Sequence, residues 1–164
     1  MFQDTYRHAD PDTFHGSKLY LHDCIAERIS SENGVLRFSL PEGFWITPHH
    51  EENPSGKTVR TDASIVSFSV EDIDDILLRV FTRHRGIFSC KTNVDIWDMD
   101  RLISAVNSGK CVLEFITQYR TYCEQMWHCA IRSSQKPYYR ECQMYLPNAE
   151  AAFYWNQLRL DHEW

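Results

Sequence analysis

The feature that most constrains this chain is an alternation of apolar and polar side chains with a period of two, repeated along its length. It is clearest in VLRFSL, where Leu36, Phe38 and Leu40 share one face and Arg37 and Ser39 the other. Successive side chains of a strand point to opposite faces, so the pattern describes an antiparallel strand buried on one side. Asn33-Gly34, immediately before it, is the strongest short hairpin signal, because a two-residue hairpin turn needs positive φ at its centre. KLYLHDCIAERIS, Lys18 to Ser30, reads as the long strand entering that hairpin. After Pro41-Glu42-Gly43, FWIT reads as the third strand of a meander.

The alternation returns in Ser64, Val66, Phe68 and Val70, and again in Cys111, Leu113 and Phe115. IFSCKTNV reads as a further strand, and MWHCAIRSS with YYRECQMYL as a last hairpin around Gln135-Lys136-Pro137. EDIDDILLRVFTRH fits two periods; the preferred reading is a turn at Glu71–Asp75 followed by a strand. WDMDRLISAVNSG is the clearest helix, with Asp95 or Asp98 complementing its first turn. Its buried stripe is Leu102, Ile103 and Val106, and Asn107 to Gly109 form its stop. NAEAAFYWNQL fits either a capped helical turn or an edge strand.

These segments predict a strand-dominated α+β fold: an antiparallel sheet or flattened barrel of about eight strands, with one main helix at Asp98–Asn107 closing an open side. A length of 164 residues suits one domain. Residues 1–15, polar and carrying Asp10-Pro11-Asp12, are expected to precede the fold or lie loosely on it. Residues 16–164 then form a single β-rich domain.

The formal net charge of −6 disfavours nucleic acid and anionic membrane as partners, since phosphate binding draws on Lys and Arg. No run approaches the roughly 20 apolar residues of a membrane-spanning helix, and the acidic start of the chain does not read as a signal peptide. The six cysteines form no Cys-x-x-Cys pair, which points to reduced thiols and a cytoplasmic setting. No Gly-rich phosphate loop and no Gly-x-Ser-x-Gly elbow occurs, so no cofactor is expected.

Four constellations remain. His49-His50-Glu51-Glu52 sits in a polar loop, but adjacent histidines on an extended chain point apart. A metal site there would have to draw on His22, Asp23, His84 or His128, and a solvated loop is the preferred reading. His22-Asp23-Cys24 places imidazole, carboxylate and thiol in sequence. Yet His22 and Cys24 on one strand stand about 7 Å apart, too far for proton transfer. Basic residues Arg79, Arg83, His84, Arg85 and Lys91 suit a charged hairpin tip. Acidic residues gather at Glu71, Asp72, Asp74 and Asp75, and again at Asp95, Asp98 and Asp100.

The aromatic residues of the final third carry the strongest functional hint: Tyr119, Tyr122, Trp127, Tyr138, Tyr139, Tyr145, Tyr154 and Trp155. Alternation forces some of them outward, and exposed Tyr and Trp dominate binding hot spots. With Asp72, Asp74 and Asp75 they are the candidate partner-binding residues. The functional expectation is a non-enzymatic module, monomer or homodimer, that covers another protein of basic character, as immunity proteins or phage-encoded inhibitors do. Two alternatives stand beside it. One is an enzyme or small-ligand binder using His22, Asp23, His49, His50 or His128 at a sheet-mouth pocket. The other is a structural protein that self-associates through tyrosine-rich strands.

Overall fold

The computed structural model describes residues 6–11, 18–85, 89–120 and 124–164. Its strands, in chain order, are β1 (His8–Pro11), β2 (Leu19–Tyr20), β3 (Cys24–Ala26), β4 (Arg28–Glu32) and β5 (Val35–Leu40). Then come β6 (Trp45–Ile46), β7 (Val59–Thr61), β8 (Ser64–Ser69), β9 (Leu77–Arg85) and β10 (Cys90–Trp97). After the helix α1 (Met99–Asn107) follow β11 (Cys111–Arg120), β12 (Glu124–Ser133), β13 (Tyr139–Pro147), β14 (Glu150–Trp155) and β15 (Leu158–Glu163). The strand-dominated α+β class is therefore the observed one. The strands are more numerous and shorter than the eight expected, and they form open antiparallel sheets, not a closed barrel.

The described residues form three sheets. The five-stranded one has the order β1-β14-β8-β5-β4, the six-stranded one β10-β9-β13-β12-β11-β3, and the four-stranded one β15-β7-β6-β2. The two larger sheets share a core. Leu36, Phe38, Val66, Phe68 and Phe153 come from one; Leu113, Phe115, Trp127, Ile131 and Met144 come from the other. Phe38 meets Phe68 and, across the sheets, Phe115 in edge-on contacts at 5.8 and 5.4 Å. Trp127 packs edge-on against both Phe68 and Phe115. Such tilted ring pairs are favourable beyond the area they bury.

The Asn33-Gly34 turn joins β4 to β5 as the hairpin signal requires, with φ of 52° and 74°. The Lys18–Ser30 segment is not one strand. Asp23 adopts φ of 55° at a turn, and the chain passes through β2, β3 and β4, one in each sheet. The acidic stretch before β9 forms a single 3-10 turn at Ile73–Asp75, with the strand following it. The undecided NAEAAFYWNQL segment is the strand β14, held between β1 and β8 inside the five-stranded sheet. The described part of the N-terminal segment supplies β1, paired with β14 from His8 to Pro11.

Helix α1 packs against both β4, of the five-stranded sheet, and β11, of the six-stranded one. Asp98 caps it by accepting a hydrogen bond from the Arg101 amide at 2.7 Å. Leu102 and Val106 enter the core, and Arg101 lies over the ring of Trp97 at 4.2 Å. At the other end Asn107 acts as a substitute strand. Its Oδ1 accepts from the Ile29 amide and its Nδ2 donates to the Ile29 carbonyl, at 2.9 and 2.7 Å. The outward backbone groups of Ile29, on the edge of β4, are thereby satisfied. Replacing this side chain strands two part-buried backbone groups, so Asn107→Ala should cost roughly 1–2 kcal/mol. Urea unfolding measures this; an unchanged midpoint would remove the clamp from the fold's supports.

Candidate interaction face

Inward-facing residues of the six-stranded sheet fill the core, and the same alternation turns their neighbours to the opposite side. Strand register places these outward residues in rows. One row runs Leu77, Tyr145, Met126, Tyr119 across β9, β13, β12 and β11. The next runs Ile96, Arg79, Gln143, His128, Thr117, and the third Val94, Phe81, Glu141, Ala130, Glu114. Tyr119 is 55% exposed, and Val94 and Ile96 are 52% and 60% exposed. These exposed side chains lie on β10 and β11, on either side of the sheet, and half-buried Leu77, Phe81, Tyr145 and Met126 connect them across β9, β13 and β12.

Polar groups on the face are braced. Arg79 lies over the Tyr145 ring at 5.3 Å, and the Tyr145 hydroxyl donates to Gln143 Oε1. Arg83 pairs with Glu141 at 2.7 Å, and Arg132 with the buried carboxylate of Glu114 at 2.6 Å. A face with its tyrosine and charges already held in place loses little side-chain freedom when covered. Exposed Asp74 and Asp75 lie in the turn that leads directly into Leu77, so they border the aromatic row. Asp72 has a local task, accepting the Asp74 amide to cap that turn.

Of the aromatic candidates, Tyr119, Tyr139 and Tyr145 belong to this face, and exposed Tyr138 stands beside it at the start of β13. Trp127 and Trp155 do not. They are 4% and 1% exposed, so as partner-binding anchors they are corrected to core residues. Trp127 faces the same way as Cys129 and Ile131, and Trp155 packs against Phe44. Tyr154 is on the five-stranded sheet, half-buried against Tyr6. Tyr122 lies outside the described residues. Leu77, Phe81, Val94, Ile96 and Met126 were not singled out from sequence; the alternation of Thr92, Val94 and Ile96 on β10 was the available signal.

The histidine constellations are separate. His50 is buried, with Nε2 donating to Asp10 Oδ2 at 2.7 Å and Nδ1 accepting from the Glu52 amide at 3.1 Å. Both ring nitrogens are thus occupied in tying the loop to β1. His49 is exposed, as expected of adjacent residues that point apart. The loop is less solvated than its composition suggests, because buried Asn53 donates to the Ile46 and Lys57 carbonyls. Among the described residues no three His, Cys, Asp or Glu side chains converge as metal ligands would.

In the His22-Asp23-Cys24 trio, His22 Nδ1 donates to the Ile116 carbonyl at 2.6 Å, and Nε2 lies 3.4 Å from Asp23. The Cys24 thiol donates instead to the carbonyls of Tyr20 and His22. His22 also stacks on Trp164 at 5.4 Å and lines a cavity of about 270 Å³ with Leu21, Ile116, Thr117, Trp127 and Phe153. A β-bulge between Phe115 and Thr117 shapes one wall.

Burial pushes the Cys24 and Cys142 thiols up to about 12, and Cys129 well above its usual value. They are packing groups, not nucleophiles. Unfolded thiols ionise near 9.0 while the native ones keep their protons to about 12. Between these values the native state binds more protons, so the cysteine contribution to stability is complete below about pH 9 and is lost as pH rises towards 12. Urea midpoints across that window should fall less steeply for Cys129→Ala with Cys142→Ala than for the native chain; equal slopes would contradict the assignment. Comparison with known protein families, curated proteins and solved structures finds no match to this chain, leaving its own residues and geometry to carry the functional reading.

Proposed function

We propose that this chain is a non-enzymatic protein-binding module that acts by covering its target, in the manner of an immunity protein or a phage-encoded inhibitor in the cytoplasm. The observation that carries this is the row Leu77, Tyr145, Met126, Tyr119 on an open sheet face, bordered by Asp74 and Asp75. Tyrosine supplies large contact area with few torsions to freeze, and methionine adapts to the shape of a partner. The fitting partner presents an apolar strip with basic groups at one end. Steering by the acidic turn and a net charge of −6 would speed its approach.

The reading is tested by capturing the partner from the native host and measuring its binding to variants. Tyr119→Ala and Tyr145→Ala should each weaken binding by roughly 2 kcal/mol. Glu32→Ala, on the five-stranded sheet, should change nothing. Asp74→Lys with Asp75→Lys should slow association and flatten its dependence on salt. Binding indifferent to both tyrosines would reject the face.

A second reading, a small-ligand binder, draws on the cavity beside the bulge. Its wall mixes apolar side chains with the polar groups of His22, Thr117 and Gln118, and the buried Trp127 indole N–H has no hydrogen-bond partner among the described residues. Native mass spectrometry of protein from its host tests this: a bound small molecule lost on Thr117→Trp would favour it, and clean apo mass would dismiss it.

A further inference from the structure

β10 is the longest unpaired sheet edge among the described residues, eight residues bonded to β9 on one side only. The other edges are shorter: β3 has three residues, β1 four, β2 two, β15 six and β4 five, with Asn107 paired to Ile29 of the last. Every side chain from Lys91 to Ile96 is exposed, including the apolar Val94 and Ile96. A long edge with apolar side chains invites a further strand, because its outward amides and carbonyls are ready to pair. Neither Lys91 nor Asp95 has an ion-pair partner among the described residues.

We infer that β10 pairs antiparallel with β10 of a second copy of this chain, about a two-fold axis through Asn93. The charge pattern selects that register. Centred on Asn93, Lys91 of each copy stands opposite Asp95 of the other, so the favourable pair forms twice. Thr92 then faces Val94, and the two Val94 side chains lie diagonally across the axis, within reach of each other. Centring on Val94 sets Asn93 against Asp95 and leaves Lys91 against Trp97. Centring on Lys91 or on Asp95 puts like charges opposite one another, which is destabilising. The charges that discourage slipped pairings therefore favour one closed, isologous contact. The two six-stranded sheets become continuous, and their outer faces combine into a single bivalent surface. This contact differs from self-association through the tyrosines, which stay uncovered.

Sedimentation of the native chain at high micromolar concentration should show a dimer. Lys91→Asp and Asp95→Lys, each replacing two attractive pairs by two repulsive ones, should weaken it by roughly tenfold or more. Lys91→Asp with Asp95→Lys together should restore it. All of these positions are exposed, and circular dichroism verifies that each variant remains folded. A native monomer overturns the inference, whether or not β10 accepts a strand from another protein. So does a dimer that ignores the charge changes, one that the double variant fails to restore, or one broken by Tyr145→Ala instead. The last outcome would move self-association to the tyrosine face and count against the partner reading too; the others leave that reading to be judged by partner binding to the tyrosine variants.

Discussion

The interlocked rings of Phe38, Phe68, Phe115 and Trp127 are the contact on which the rest of the molecule depends. They hold the five- and six-stranded sheets face to face, and in doing so they decide what the outer face can be. A strand with its even or odd positions committed to that core has no choice about where its other side chains go. Tyr119, Met126, Tyr145 and Leu77 are outside because Gln118, Trp127, Met144 and Leu78 are inside. The candidate surface is thus a direct consequence of the core, fixed on rigid elements instead of loops. Positioning of that kind favours binding without rearrangement.

The polar residues divide along the same line. Groups that suggested chemistry in the sequence are engaged in holding the structure: His50 between Asp10 and the Glu52 amide, Cys24 in the core, Asn53 under its loop. A catalytic group must present an unoccupied atom to a substrate. Both nitrogens of His50 are already taken, and the thiol of Cys24 stays protonated far above neutral pH. The ion pairs on the outer face, Arg83 with Glu141 and Arg132 with Glu114, serve differently, fixing the charge pattern that an approaching partner meets.

Local chemistry was legible wherever it is decided locally. Asn33-Gly34 dictates its hairpin, Asp98 caps its helix, and the strand following the acidic turn shows in its alternation. The division of Lys18–Ser30 among three sheets was not legible, because strand partners lie far away in sequence and only the left-handed Asp23 marks the break. Nor was the interior position of β14, where a six-residue segment carries no signal of its neighbours. Trp127 could have been placed inside from its shared parity with Cys129 and Ile131. Trp155 could not, because its burial depends on Phe44 from the distant four-stranded region. The bulge at Phe115–Thr117 reverses parity midway through β11, which hides that Tyr119 faces outward with Glu114.

The most direct measurement is oxidative footprinting of the chain alone and in complex with its captured partner. If the open side of the six-stranded sheet is the binding surface, Tyr119, Met126, Tyr139 and Tyr145 lose reactivity together in the complex, while Tyr20 and Trp164 keep theirs. Protection of Tyr20 and Trp164 beside the His22 cavity, with the four sheet residues unchanged, would contradict it.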